Sequence, residues 1–256
     1  MKLQIDVQLD YWFEQPCDVL LQVEVAALAG QTIEASAITA GAALTRVAAQ
    51  DGVGTRAWLA AEGRMLVDYA ARVTIARPAH DTAALPQTPL HLLPGEAVQY
   101  LLPSRYCPSD RFFDLVDARF AGLEGGARIA AMAEWIAGHL AYVPGSSTVE
   151  TTALDTFHDC KGVCRDYAHL MIALARAADV PARYASVYAL RASPPDFHAV
   201  AEVFLGGEWH IIDPTGMASA RDTAIIGIGR DAGDVAFLTA FGPLMMNGLS
   251  VRVEAV

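Results

Sequence analysis

A run of prolines, Pro78, Pro86, Pro89 and Pro94, with Gly95 behind the last, limits what this chain can fold into more than any other feature. Proline has no backbone N–H and a fixed φ, so neither a helix interior nor a central strand can cross such a stretch. The stretch is therefore expected to be a connector. Before it, Leu3, Ile5, Val7 and Leu9 alternate with polar residues, and 66–75 alternates more loosely, which is the period of strands. Leu20 to Ala29 is a more continuous apolar run, and Gly52 and Gly54 suit a turn. After it the period changes. Ile129, Met132, Ala133, Ile136 and Leu140 recur at helical spacing, as do Leu170, Met171 and Leu174 in the segment Tyr167 to Ala178, which stops before Pro181. Arg183 to Leu190 and His198 to Leu205 read as strands. Gly206-Gly207 then separates the second of these from Glu208 to Asp213, a hairpin signal, because tight two-residue turns need positive φ. The expected organisation is a β-rich amino-terminal domain with its connector over 1–95, followed by an α+β domain over 96–256 with helices packed on an antiparallel sheet.

The bulk properties narrow the function. The 256 residues are 54% apolar, enough for a sizeable core, and the formal net charge is -11. No Lys/Arg run forms a basic footprint, so nucleic acid and anionic membrane are not expected as partners. No apolar stretch reaches the length of a membrane span, and Met1 to Asp10 alternates like a strand rather than resembling a signal peptide. A cytoplasmic location follows as an expectation, with Cys17, Cys107, Cys160 and Cys164 as thiols. Cys160 and Cys164 have a spacing permitted for half a zinc site, but no second pair of ligands follows, so no metal and no cofactor are expected.

The chemistry concentrates on three residues. Cys164 opens the second helix, where unpaired N–H groups and the positive end of the helix dipole favour a thiolate. If Gly206-Gly207 is a two-residue loop, Leu205 faces Glu208, and continuing that register puts Asp213 opposite Val200, diagonal to His198. A carboxylate there would accept Nδ1–H of the imidazole and support its charged form. Nucleophile, base and orienter are then all present.

The residues Gly162-Val163-Cys164-Arg165-Asp166-Tyr167-Ala168-His169-Leu170, Val180-Pro181-Ala182-Arg183-Tyr184, His198-Ala199-Val200-Ala201-Glu202-Val203 and Trp209-His210-Ile211-Ile212-Asp213-Pro214-Thr215 together resemble the bacterial transglutaminase-like superfamily. The resemblance runs from about Leu101 to Thr215 and takes in Pro103-Ser104-Arg105-Tyr106-Cys107. It implies a papain-like core in which Cys164, His198 and Asp213 are the catalytic triad. Animal crosslinking transglutaminases carry Gln and Trp on either side of the nucleophile; Val163 and Arg165 stand there in this chain, so crosslinking and calcium activation are not carried over. The last glutamine is Gln99, so the core lacks the Gln oxyanion donor common in papain-type sites. The Cys164 backbone N–H is one candidate donor, with Tyr142 or Trp135 as a second.

The expected activity is attack of Cys164 on an amide or peptide bond, with water completing the reaction. Transfer to an amine, or an inactive fold serving as a binding module, are the alternatives. His169 is expected to be solvated or paired with Asp166, His158 and Asp159 to border the cleft, and Met245-Met246 to fill core. Gly229 to Asp234 resembles a late family segment without assignable chemistry.

Overall fold

A computed structural model describes residues 1–256. The amino-terminal part contributes β1 (Lys2–Leu21), β2 (Gln31–Thr39), β3 (Thr45–Ala48) and β4 (Thr55–Ile75). After the connector come α1 (Gly95–Val98), α2 (Phe113–Arg119), α3 (Gly125–His139), β5 (Ala141–Tyr142), α4 (Ala153–Asp159), β6 (Lys161–Gly162) and α5 (Cys164–Ala177). The chain ends with β7 (Ala182–Ala189), β8 (His198–Leu205), β9 (Glu208–Ile212), β10 (Thr223–Gly229), β11 (Leu238–Ala240) and β12 (Met245–Ala255). It is an α+β fold.

The long strands β1 and β4 pair antiparallel and form the middle of the first sheet. Leu3, Ile5, Val7, Leu9, Tyr11 and Phe13 bury one face of β1, as their alternation requires. Pro16 is accommodated because the pairing is interrupted between Phe13 and Cys17, so its missing N–H is not needed by the ladder. The apolar run Leu20 to Ala29 is strand only as far as Leu21. The connector contains only short turns of 3₁₀ helix before α1.

The division at residue 95 is crossed by the carboxy terminus. β12 pairs with β1 along Leu3–Trp12 and β11 along Val19–Leu21, so the last strands belong to the first sheet. They cover an edge of β1 that would otherwise present unpaired backbone groups. Leu249, Val251 and Val253 alternate in the sequence, a period-2 signal for this strand.

The second sheet has the order β10-β7-β8-β9, all antiparallel. α5 and α3 pack on one face, forming a core with Ala182, Ala201 and Val203. Tyr188, Ala224 and Ile226 of the same sheet join the core of the first sheet instead. Tyr188 and Tyr69 stack at 6.3 Å across that contact, and the Tyr188 hydroxyl donates to Val23 O at 2.6 Å. Being covered on both sides, β8 is buried at every position, so its sequence reads as a nearly continuous apolar run.

Candidate active site

Cys164 is the first residue of α5, and the residues before it explain the Gly-Val-Cys-Arg-Asp sequence. Val163, at the cap, has no side-chain acceptor to offer the helix, so only the return half of a capping box forms: the buried Asp166 carboxylate accepts the Val163 N–H at 2.8 Å. Gly162 is required by the same contact, because a Cβ there would lie 2.6 Å from Asp166 Cβ. Arg165 donates to Asp166 Oδ1 at 3.1 Å and to Thr148 O at 2.7 Å. It therefore braces the loop before α4 rather than forming a substrate wall.

Tyr142 reaches Cys164 through a short parallel pairing in which it stands opposite Gly162, held by Val143 N–H donating to Gly162 O at 2.9 Å. Its hydroxyl lies against both the backbone N–H and the thiol of Cys164. Burial, together with the neighbouring sulfur, pushes the phenol up to about 12, so it remains an O–H donor at neutral pH.

The hairpin has the register set by its glycines. Leu205 faces Glu208 and Ala201 faces Ile212, with Gly206 and Gly207 at φ 59° and 88°. Asp213 lies one residue beyond the ladder, 2.9 Å from His198. The contact uses His198 Nε2, not the Nδ1 expected from the diagonal strand geometry. With Nε2 taken by Asp213, Nδ1 is the ring nitrogen left for the interaction that His198 makes with Cys164. Burial opposes a charged His198, but the hydrogen bonds with Asp213 and Cys164 overcome it and raise the imidazole to about 9. The Asp213 carboxylate also accepts the N–H of Thr215 at 2.9 Å, of Met217 at 3.1 Å and of Ala218 at 2.8 Å, plus the Thr215 hydroxyl at 2.7 Å.

Cys164, His198 and Tyr142 line one cavity of about 250 Å³. The structure therefore brings together Cys164, His198, Asp213 and Tyr142. Trp135 is elsewhere, stacked on His139 at 4.5 Å, and so leaves Tyr142 as the side-chain oxyanion candidate. His158 and Asp159 do not line the cavity. No group of His, Cys, Asp and Glu has the arrangement of a metal site.

His169 is fully buried rather than solvated. Its Nε2 accepts the Ala232 N–H at 3.1 Å and its ring stacks on Tyr106 at 5.1 Å. α5 is enclosed almost all round, so a one-face reading of the helix cannot place this residue. Burial, then the charges of Arg165 and Arg176, hold it well below the usual histidine value and keep it neutral. The Tyr106 N–H donates to Asp231 at 3.0 Å, and buried Arg176 donates to Leu102 O, Ser104 Oγ and Arg230 O. The segments 103–107 and 229–234 thus lock α5 in place. Met245 and Met246 are each 59% exposed, at the edge of the first sheet rather than in the core.

The sequence signature of the transglutaminase-like superfamily matches residues 121–214. Over 99% of this chain the fold superposes on 90% of a Cytophaga hutchinsonii protein, with a TM-score of 0.93 and 31% identity. The chain belongs to the transglutaminase-like superfamily. The C. hutchinsonii protein is provisionally described as a cysteine protease. An uncharacterised Mycobacterium leprae protein is 33% identical over 148 residues, covering 54% of this chain. The chain spans about half, 53%, of that curated relative. The site described above lies within or directly beside the matched superfamily region.

Proposed function

We propose that this protein is a thiol-dependent hydrolase of an amide or peptide bond, with Cys164, His198 and Asp213 as its catalytic triad. Superfamily membership and the C. hutchinsonii neighbour support a thiol-dependent enzyme in general. The observation that carries the finer reading is the shared cavity, in which a helix-start cysteine meets an imidazole anchored to a buried carboxylate.

In the first step Cys164 Sγ forms a bond to the carbonyl carbon. The charge developing on oxygen is met by the Cys164 N–H and the Tyr142 hydroxyl. The C–N bond then breaks, and protonated His198 gives its proton to the departing amine, leaving a thioester. In the second step neutral His198 takes a proton from water as the water attacks. The C–S bond breaks, acid is released, and the thiolate–imidazolium pair that opened the cycle is restored. Asp213 keeps its proton state while orienting and supporting the ring. An amine acceptor would follow the same first step and differ only in the second. Val163 and Arg165 supply no aromatic wall around the sulfur, which favours water.

The test is to trap the acyl-enzyme from a peptide library and identify the acyl group by mass, then add a primary amine over a wide concentration range. Free acid is expected to predominate. Mainly amide at modest amine concentration would make the protein an acyltransferase. A folded protein with an accessible Cys164 that yields no acyl-enzyme would leave the binding-module reading.

A further inference from the structure

The cavity around Cys164 is apolar apart from its reacting groups and one carboxylate. Val163, Ala192, Pro194, Phe197 and Met217 supply apolar wall, and Asp196 is the sole carboxylate among the lining residues, with His198 the sole basic group. Asp196 accepts its neighbour's N–H, from Phe197, at 2.7 Å. The nearest arginine or lysine in sequence, Arg191, is turned away to Asp222 at 3.0 Å. Ala192 and Asp196 also border a larger groove of about 690 Å³, whose opposite wall includes Tyr69, Val251 and Val253 of the first sheet. Lining both, this carboxylate stands where the groove meets the cavity that holds Cys164.

We infer that Asp196 is a specificity-determining residue that selects substrates with a basic side chain, ammonium or guanidinium, beside the bond to be cleaved. The inference rests on the functional reading above and names its substrate class. A few placed polar groups in an otherwise apolar cavity set the orientation and specificity of what binds there. Lysine and arginine combine a methylene stem, which suits the apolar wall, with a cation that suits the carboxylate. Although the residue as a whole is exposed, burial of its carboxyl raises it above the usual value, against the pull of the Phe197 N–H and His198. The net charge of -11 also draws cationic substrates towards the protein.

The rival role is purely electrostatic. Asp196 is two positions from His198 and could act on every substrate equally through the imidazole. Peptidyl acyloxymethyl ketones that carry lysine or its uncharged match norleucine, either next to the warhead or one residue further away, separate the two roles. Mass spectrometry follows alkylation of Cys164. In the unaltered protein lysine is expected to accelerate labelling about tenfold over norleucine in at least one position. The ratio should fall to near one in Asp196→Asn and recover in Asp196→Glu. Equal ratios in the unaltered protein, or equal slowing of both probes in Asp196→Asn, would overturn the inference. Binding of unreactive peptides spanning both sides of the bond, measured on Cys164→Ala, needs no turnover. If Cys164 proves unreactive, the functional reading fails, while a binding preference for lysine that disappears in Cys164→Ala/Asp196→Asn still supports the cationic subsite. Binding without that preference removes the subsite as well.

Discussion

Nε2 of His198 lies 2.9 Å from Oδ2 of Asp213, with their side chains 2% and 1% exposed. An ion pair so enclosed is screened little by solvent, and it favours the charged ring. Burial works against that charge, but the contacts with Asp213 and Cys164 raise His198 from 6.5 to about 9. The contribution to stability is therefore fully present below the free-histidine value and is lost as pH rises through about 9. Because the imidazolium donates the proton in the proposed acylation, kcat/KM should lose activity on the alkaline side near that same value. Coincidence of the alkaline limb with the His198 NMR titration checks this. A limb near 6.5, matching an unperturbed ring, would contradict it.

Asp213→Asn should reduce both rate and stability. The sequence gives the aspartate one partner, but the structure gives its carboxylate the Thr215, Met217 and Ala218 N–H groups as well. An amide NH₂ cannot accept these donors, so either orientation leaves a backbone donor poorly matched. A loss of about 1–3 kcal/mol is expected for such a buried mismatch. Denaturant midpoints and kcat measured on the same preparation check it. Retention of both would remove Asp213 from the site and from the turn. His198→Ala, by contrast, is expected to abolish turnover, and a folded active variant would remove the base.

The legibility of the site followed from local rules. Gly206 and Gly207 fix a turn, the turn fixes the register, and the register brings His198 and Asp213 together. The nitrogen facing Asp213 was not legible, because it depends on how the ring lies beyond the end of the ladder. α4 carries a Thr152-x-x-Asp155 capping box, a local start signal for a helix of seven residues, too short to show an apolar period. The return of β12 to β1 is different in kind. Its strand period is visible, but its partner lies at the other end of the chain, and hydrophobic period alone does not select a partner. For His169, tertiary enclosure of α5 overrides the helical face on which a local reading depends.

Tyr142→Phe isolates the proposed oxyanion contact. With its phenol held near 12, the hydroxyl remains a donor across the range in which the enzyme would work. Removing it should lower kcat by about 10²–10³, with little change in KM, as for loss of one oxyanion donor. The aromatic ring remains to pack against Tyr167 at 6.0 Å, so the melting temperature should hold. An unchanged rate would make Tyr142 a packing residue only.

The contact between Gly162 and Asp166 allows a separate test of how Cys164 is positioned. In Gly162→Ala the new Cβ meets Asp166 Cβ at 2.6 Å and Oδ2 at 3.0 Å, so the start of α5 must shift. A cost of about 1–3 kcal/mol is expected from overpacking, with slower alkylation of Cys164. Asp166→Ala instead strands the Val163 N–H and releases Arg165, at a similar cost of about 1–3 kcal/mol. Alanine at 166 keeps the Cβ that causes the clash, so it cannot relieve Gly162→Ala. The double variant should be less stable than either single variant. Denaturant unfolding gives the stabilities. Alkylation should be followed in a Cys160→Ser background, since Cys160 is an exposed thiol that would compete for reagent. If Gly162→Ala is neutral, or if Asp166→Ala restores its stability and Cys164 labelling, steric contact with Asp166 is not what fixes the helix start. The position of Cys164 would then have to come from the Tyr142–Gly162 pairing.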